Sequence, residues 1–215
     1  MTEFEGKRVF VTGSGAGIGK AISQMFIERG ARVVVSDIDE GAAAKTAEEI
    51  GAAGIANCDV SDESQVQSAV AQAVEILGGL DIVVNNAGIE VSSPLLQQST
   101  ESFDKIYSVN VKGTFLVMKA AIGALVESKG NIVNIASLAG VGGTALLGSY
   151  CATKAAVIQL TRVAAIEMRA SGVRVNAVCP GFADTAMVDR LVPDFEAATQ
   201  IPFGDLVAAK QGRLG

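Results

Sequence analysis

Six short apolar runs rich in β-branched residues recur along the chain, separated by longer stretches whose apolar residues lie three or four positions apart. Continuous apolar runs of this length are typical of strands buried on both faces, and the wider spacing is typical of helices. The predicted strands are 8–12, 32–36, 54–58, 80–85, 131–136 and 173–179. The predicted helices are 17–29, 40–50, 63–77, 101–128 and 150–170. This alternation predicts right-handed βαβ units, and therefore a three-layer α/β/α fold with a parallel sheet between two layers of helices.

Local signals at the ends of the predicted helices agree with this pattern. Ser61 precedes an acidic first turn and is expected to cap the third helix. Glycine stands close after four of the five helices, where a C-terminal cap needs a left-handed backbone. These glycines are Gly30, Gly51, Gly78 and Gly172.

The composition fits one domain spanning residues 1–215, because 49% of the residues are hydrophobic and no repeat or linker divides the chain. The net charge is −6, from 23 acidic and 17 basic residues mixed along the sequence. Nucleic-acid binding is not expected, since it requires a basic surface. No run approaches the roughly 18 uninterrupted apolar residues that span a bilayer, so we expect no membrane partner and a cytoplasmic location.

Cysteine and histidine usage narrows the chemistry that the chain can perform. Cys58, Cys151 and Cys179 lie far apart without C-x-x-C spacing, so we expect reduced thiols and neither a disulfide nor a metal site. The chain has no histidine, which excludes Ser-His-Asp catalysis, Cys-His catalysis and His-ligated zinc. Acid/base chemistry must therefore come from Tyr, Lys, Asp, Glu or Cys side chains.

A glycine-rich segment, TGSGAGIG at 12–19, follows the first predicted strand and leads into the first helix. Gly13, Gly17 and Gly19 would let the backbone approach a pyrophosphate at the free N–H groups of the helix N-terminus. A P-loop does not fit, because Ala21 rather than Ser or Thr follows Lys20. Dinucleotide binding is the functional interpretation, and a tight strand-to-helix connection is the alternative.

Asp37 follows the second predicted strand and stands 18 residues after Gly19. A carboxylate here can accept hydrogen bonds from the ribose hydroxyls of adenosine, and its charge would repel a 2′-phosphate. Residue 38 is Ile, where an Arg would accommodate that phosphate. We therefore expect NAD(H) rather than NADP(H), with a solvated turn aspartate as the alternative.

Tyr150 and Lys154 lie four positions apart in the last predicted helix, and hence on one helix face. A nearby ammonium favours the phenolate and lowers a tyrosine pKa that is about 10 in water. Such a tyrosine can act as a general base near neutral pH. The same pair is also common on solvated helix faces, so the spacing alone does not decide between the two.

The order and spacing of several motifs resemble the short-chain dehydrogenase/reductase family over essentially the whole chain. The motifs are TGSGAGIG at 12–19, NNAG at 85–88, SVNVKG at 108–113, NIVNIAS at 131–137, YCATK at 150–154 and PG at 180–181. The resemblance implies a Rossmann-type doubly wound parallel sheet, NAD as cofactor and a small alcohol or ketone as substrate. It also implies a catalytic tetrad of Asn110, Ser137, Tyr150 and Lys154.

In the roles that the resemblance implies, Tyr150 is the acid/base and Ser137 hydrogen-bonds the substrate oxygen. Lys154 binds the nicotinamide ribose and lowers the pKa of Tyr150, and Asn110 holds a proton-relaying water. The implied cofactor-binding residues are Gly13, Ser14, Gly17, Ile18, Gly19, Asp37, Asp59, Val60, Asn86, Ala87, Gly88, Tyr150, Lys154, Pro180, Gly181, Ala183 and Thr185. No metal is expected.

The expected reaction is the NAD(H)-dependent interconversion of a secondary alcohol and a ketone by hydride transfer. Two alternatives stay open: an NADPH-dependent 3-oxoacyl thioester reductase and a non-catalytic NAD-binding sensor. A substrate loop at about 182–206 contains the amphipathic stretch 187–203, which is interpreted either as a lid or as an ordinary surface helix. Its scarcity of basic residues favours a neutral, fairly apolar substrate.

Members of the family usually continue past a G-R-L-G segment with a helix and a final parallel strand, and this sequence ends at GRLG, 212–215. The C-terminal strand and helix of the family are therefore expected to be missing, which would leave the sixth strand as an exposed edge. A homo-oligomer, either a tetramer or a dimer, is expected if the C-terminus is complete in the native protein.

Overall fold

The computed structural model describes residues 3–205 and 207. Its strands are β1 (Arg8–Thr12), β2 (Arg32–Ser36), β3 (Gly54–Ile55), β4 (Ile82–Asn85), β5 (Asn131–Ile135) and β6 (Arg174–Val178). Its longer helices are α1 (Gly17–Glu28), α2 (Glu40–Ile50), α3 (Glu63–Leu77), α4 (Thr100–Tyr107), α5 (Thr114–Ser128), α6 (Gly148–Glu167) and α7 (Ala186–Thr199). Each predicted strand and helix is thus present, although β3 ends three residues earlier than predicted.

The six strands pair in parallel in the order β3-β2-β1-β4-β5-β6. β1 and β4 are neighbours in the sheet although two strands separate them in sequence. Connections from β1 and β4 therefore leave in opposite directions, which opens a crevice at the carboxyl ends of these strands. The predicted Rossmann-type doubly wound sheet is confirmed.

Alternate residues of β1 show how the sheet separates two apolar layers. Phe10 belongs to a buried cluster that includes Leu77 of α3 and Leu125 of α5. Val9 and Val11 belong to a second cluster together with Phe26 of α1. Because both faces of the sheet carry helices, the three-layer architecture is confirmed.

β6 departs from the prediction that every strand is buried on both faces. Val175 is buried, whereas Arg174 and Asn176 are exposed and Val178 is 49% exposed. Among the described residues, β6 pairs with β5 and forms one edge of the sheet. Arg174, Asn176 and Val178 contact solvent because they lie on one face of β6, and no helix in the described part of the chain covers that face.

The helix caps agree with the prediction at glycines and differ from it at the third helix. Gly51 and Gly78 have left-handed backbones at the ends of α2 and α3. Asp62, rather than Ser61, caps α3, and its carboxylate accepts hydrogen bonds from the N–H groups of Ser64 and Gln65. Ser61 instead donates its hydroxyl proton to Asp59, so it is not available as the cap.

The longest predicted helix consists of α4, a π-helical segment at Ser108–Gly113, and α5. π-Helical segments often occur at functional sites, and this one contains the buried Asn110. The stretch Thr100–Ser128 has the length and the mean hydropathy of a membrane-spanning helix. The search for a run of uninterrupted apolar residues missed it, because polar residues interrupt this stretch. Its apolar composition is explained by packing, since Leu116 and Leu125 are buried in the core beside α3.

A row of buried polar side chains, here called the asparagine ladder, joins β4 and β5 to α6. Asn85 donates from Nδ2 to Oδ1 of Asn134 at 2.8 Å. Asn134 donates from its own Nδ2 to Oγ1 of Thr161 in α6 at 2.9 Å. All three residues are buried, so these hydrogen bonds compensate the groups that form them, whereas the buried Oδ1 of Asn85 has no partner among the described residues. The ladder ties the sheet to the helix that carries Tyr150 and Lys154.

Candidate active site

A cleft of about 890 Å³ opens at the carboxyl ends of the strands. Most of the site residues predicted from the sequence line it: Gly13, Gly17, Ile18, Asp37, Asp59, Val60, Asn86, Ala87, Gly88, Ser137, Tyr150, Lys154, Pro180, Gly181, Ala183 and Thr185. Ser14, Gly19 and Asn110 are not part of this lining. The fold thus brings together residues from both ends of the sequence, because parallel strands present their carboxyl ends at one edge.

The turn after β1 is shaped by two glycines with positive φ. Gly13 has φ +60°, and a Cβ atom on it would lie 2.7 Å from the Cα of Ala87. Gly17 has φ +53° and faces Thr185, whose Cγ2 would be 3.6 Å from such an atom. Residues without a side chain therefore keep the backbone open to the cleft at the start of α1, as a bound pyrophosphate requires.

Ser14 and Gly19 do not line the cleft and are packed within the glycine turn. The hydroxyl of Ser14 is fully buried, donates to the carbonyl of Val11 at 2.8 Å and accepts from the N–H of Ser36 at 3.0 Å. A Cβ on Gly19 would collide with the carbonyl of Gly13. Their roles in this structure are to close the turn, and cofactor binding through their backbones stays a prediction.

Asp37 links the glycine turn to the end of β2 and lines the cleft. Its Oδ2 accepts a hydrogen bond from the N–H of Gly15 at 2.9 Å, and its Oδ1 accepts one from the N–H of Asp39 at 3.1 Å. The neighbouring Ile38 is 70% exposed and also lines the cleft. A carboxylate held in this orientation, beside an apolar side chain, can accept bonds from ribose hydroxyls.

The loops after β3 and β4 complete the floor of the cleft. Asp59 accepts two hydrogen bonds from Ser61, at 2.8 Å from its N–H and 2.7 Å from its hydroxyl. Asn86 donates from Nδ2 to the carbonyls of Thr12 and Gly13, at 3.0 and 2.8 Å. The two bonds of Asn86 join the NNAG segment to the glycine turn.

Ser137 and Tyr150 approach each other across the cleft. Ser137 follows β5, and its hydroxyl accepts the N–H of Ala139 at 3.1 Å. Burial is the largest influence on Tyr150 and raises its pKa, a hydrogen bond with Ser137 lowers the pKa, and the charge of Glu90 raises it. The net pKa lies above the usual value, mainly because of burial, and Lys154 is not among the groups that shift it, so the predicted depression by Lys154 is not found. A cofactor with a positive nicotinamide ring would shift the balance toward the phenolate.

Lys154 is buried one helical turn beyond Tyr150. Its Nζ donates to the carbonyl of Ile135 at 2.8 Å and lies 5.6 Å from the centroid of the Tyr150 ring. Burial lowers the pKa of Lys154 from 10.5 to about 8. A Cβ on Gly88 would lie 3.4 Å from Nζ, so the ammonium stands against the floor of the cleft where a ribose can reach it.

The burial of Lys154 predicts a pH-dependent stability. Below pH 8 the lysine is charged in both the folded and the unfolded state, and the folded state bears the full desolvation cost. Between pH 8 and 10.5 the folded state releases its proton first, so the stability of the wild type rises with pH. Over this pH range we expect the free energy of unfolding of the wild type to increase by on the order of 3 kcal/mol relative to that of Lys154→Met.

Urea unfolding at pH 7.5 and pH 10.5 measures this effect. Lys45→Met is the matched control, because the Lys45 side chain is 76% exposed. A difference between wild type and Lys154→Met that is independent of pH would contradict a buried ammonium at position 154.

Asn110 is buried beside the floor of the cleft, where its Oδ1 would lie 3.3 Å from a Cβ atom on Gly88. It is 1% exposed. Its Oδ1 accepts the N–H of Ile89 at 2.8 Å, and its Nδ2 donates to the carbonyl of Ile89 at 2.9 Å and to Oγ1 of Thr153 at 3.0 Å. The side chain therefore clamps the backbone of Ile89, because the π-helical turn directs it toward this loop. Water relay by Asn110 stays a prediction.

The predicted lid corresponds to α7, which lies over the outer part of the cleft. Met187, Val188, Arg190 and Leu191 line the cleft from this helix. One turn beyond Leu191 on the same face, Phe195 packs into the protein: it is 7% exposed and lies 6.1 Å from Phe203 between ring centroids. The stretch is thus amphipathic as predicted, and it contributes both to the core and to the site.

The loop after Gly140 faces α7 and lines the cleft through Thr144 and Leu147. Val141 is 72% exposed, and Leu146 lines a separate, smaller pocket beside Phe195.

Glu90 is a site residue that the sequence did not indicate. It lines the cleft, and its side chain is 9% exposed. Arg190 of α7 lies 3.5 Å away, between Nε and Oε1. A single glutamate two residues after NNAG carries no pattern that distinguishes it from a solvated loop residue, so its burial could be found from the fold alone.

Comparisons with known proteins agree with this geometry. A family model described as short chain dehydrogenase matches residues 7–195. The chain is 39% identical to sorbitol dehydrogenase of Cereibacter sphaeroides, over 98% of this chain and 86% of that protein. It is 44% identical to 2,5-dichloro-2,5-cyclohexadiene-1,4-diol dehydrogenase of Sphingobium indicum, over 88% and 78%. It is 39% identical to galactitol 2-dehydrogenase of Agrobacterium fabrum, over 83% and 71%.

The crystal structure of levodione reductase superimposes on the fold with a TM-score of 0.85. The identity is 32%, and the match covers 91% of this chain and 79% of that one. The family model spans the sheet from β1 to β6 and reaches α7, so it includes the glycine turn, Ser137, Tyr150 and Lys154. The chain belongs to the short-chain dehydrogenase family, whose enzymes use a nicotinamide nucleotide in the oxidation of alcohols or the reduction of carbonyls.

Proposed function

We propose that the protein is an NAD(H)-dependent dehydrogenase that interconverts a secondary alcohol and a ketone, with Tyr150 as acid/base. The observation that carries this proposal is the common cleft. Gly13 and Asp37 stand in the half of the crevice formed by β1 and β2, and Ser137, Tyr150 and Lys154 stand in the half formed by β5 and α6. A dinucleotide extended across the crevice would connect these two groups.

Proton transfer in this site follows from the arrangement of three side chains. A substrate oxygen between Ser137 and Tyr150 would accept a hydrogen bond from the serine and exchange its proton with the phenol. Lys154, held on the Ile135 carbonyl, places its charge one turn from the phenol. The nicotinamide ring supplies the hydride acceptor when the cofactor is bound. In oxidation the phenolate takes the hydroxyl proton, and in reduction the phenol returns it.

The preference for NAD(H) rests on Asp37 and Ile38. The carboxylate of Asp37 is oriented by the N–H groups of Gly15 and Asp39, and it borders the cleft where a ribose would lie. Its negative charge disfavours a 2′-phosphate, and Ile38 offers no compensating cation. The same features disfavour the NADPH-dependent 3-oxoacyl thioester reductase.

The names of the relatives support an alcohol as substrate. Sorbitol, galactitol and a cyclohexadienediol, the substrates in those names, each carry more than one hydroxyl group. We propose a small, uncharged alcohol of this kind for the present protein. Oligomeric assembly and cytoplasmic location stay predictions.

Titration of the purified protein with NADH and with NADPH, together with turnover of a panel of secondary alcohols followed at 340 nm, tests the proposal. We expect tighter binding of NADH and alcohol-dependent formation of NADH. Binding of NADH without turnover of any alcohol or ketone would favour the sensor, and a preference for NADPH would contradict the role given to Asp37.

A further inference from the structure

Glu90 places a carboxylate inside the substrate part of the cleft. Its side chain is 9% exposed, although its place in the sequence is equally typical of a solvated loop residue. It lines the same cleft as Tyr150, and its charge acts on the phenol by raising the pKa of Tyr150. Glu90 therefore lies within electrostatic reach of the atom that exchanges the proton, which is where an extra substrate group would be found.

The backbone of Ile89, the residue before Glu90, is hydrogen-bonded by a buried side chain. Asn110 bonds both the N–H and the carbonyl of Ile89, at 2.8 and 2.9 Å. Thr153, in the same helix as Tyr150 and Lys154, accepts the remaining amide proton of Asn110 at 3.0 Å. The position of Glu90 is thus coupled to the catalytic helix through one buried amide, which is the kind of support that a binding residue needs.

The carboxylate of Glu90 is incompletely satisfied. Arg190 is its ion-pair partner among the described residues, at 3.5 Å, which is longer than a good hydrogen bond. The Arg190 side chain is 66% exposed and can turn toward solvent. A carboxylate offers about four lone-pair sites, so most of the accepting capacity of Glu90 remains free to face the cleft.

We infer that Glu90 accepts a hydrogen bond from a second hydroxyl group of the substrate, adjacent to the carbon that is oxidised, so that the enzyme selects vicinal diols or polyols over simple alcohols. The inference rests on the proposed function, because it identifies the alcohol that this site would oxidise. An uncharged diol can satisfy a buried carboxylate without adding charge to the cleft, whereas a carboxylate substrate would be repelled by it.

The test compares cis-cyclohexane-1,2-diol with cyclohexanol, which share a ring and differ by one hydroxyl. We expect kcat/KM to be about ten- to a hundredfold higher for the diol, as for a hydrogen bond to a charged acceptor, and Glu90→Leu to abolish this preference. Glu90→Gln, which keeps an acceptor of equal size, should retain part of it. Values are compared at the plateau of each pH profile, because the charge of Glu90 also acts on Tyr150.

Arg190→Gln is the matched control, since it removes the ion pair and leaves the acceptor in place. Hydroxyl binding by Glu90 predicts that this variant keeps the diol preference. If Glu90 merely fastens α7, Arg190→Gln and Glu90→Leu would lower kcat/KM for both alcohols by the same factor, which would overturn the inference.

Calorimetric titration with each alcohol in the presence of NADH, which cannot accept a hydride from an alcohol, provides a readout independent of turnover. Tighter binding of the diol to wild type than to Glu90→Leu supports the inference even if neither alcohol is oxidised, in which case the proposed function alone fails. Oxidation of both alcohols with equal kcat/KM and equal affinity in wild type and Glu90→Leu would leave the proposed function intact and refute the role of Glu90.

Discussion

Replacing Tyr150 with phenylalanine is expected to lower kcat for alcohol oxidation by about 10²- to 10⁴-fold, the usual contribution of a general acid or base. The change removes one oxygen atom and keeps the ring, so the affinity for NADH should stay within about threefold of the wild type, as judged by the small effects typical of substitutions that spare packing. Stopped-flow or steady-state absorbance at 340 nm measures the loss, and fluorescence titration measures the binding.

The chain offers a matched control for this experiment, because it has one other tyrosine. Tyr107 stacks on Phe103 with ring centroids 4.7 Å apart and does not line the cleft. Tyr107→Phe should keep the wild-type rate. The raised pKa of Tyr150 further implies that kcat/KM for oxidation by wild type increases with pH through the alkaline range. A Tyr150→Phe enzyme with undiminished kcat, or with the same pH profile, would refute the acid/base assignment.

The second large effect is expected at the adenosine end of the cleft. In the double variant Asp37→Ser with Ile38→Arg, the ratio of kcat/KM for NADP to that for NAD should increase by about 10²- to 10³-fold. Opposing like charges cost several kcal/mol, and about 1.4 kcal/mol corresponds to a factor of ten.

Asp39→Asn is the control for the negative charge removed at position 37, since Asp39 stands two residues away and caps α2 with its side chain. It removes the same charge as the Asp37 substitution, and an asparagine can still cap the helix. An unchanged cofactor ratio in the double variant, or an equal shift in Asp39→Asn, would show that the carboxylate of Asp37 does not select the cofactor.

The central strands and the main motifs could be predicted because their causes are local. β1 and β2 are buried on both faces, so they appear as unbroken apolar runs, and their bounds in the structure are those predicted. The convergence of the glycine turn, Ser137 and Tyr150 also follows from the sequence once the strands are taken as parallel. Each of these segments lies at or beyond the carboxyl end of a strand.

Other features depend on contacts that no spacing reveals. The choice of Asp62 over Ser61 as a cap is set by the hydrogen bond that Ser61 makes to Asp59. The π-helical segment adds one residue to a helical turn. The apolar spacing on both sides of it is that of an ordinary α-helix, so the sequence predicts a single long helix. The pKa of Tyr150 follows from how deeply the phenol is buried, and an i, i+4 spacing with Lys154 carries no information about that depth.

The asparagine ladder has a consequence for the precision of catalysis. Thr161 lies two helical turns beyond Lys154 on the face of α6 that meets the sheet, and its hydroxyl is bonded by Asn134. Close packing already restricts the rotation of a buried helix, and directional bonds in a buried network restrict it further. The ladder thus helps to fix the rotation of α6 about its own axis, and with it the direction from which the Tyr150 side chain enters the cleft.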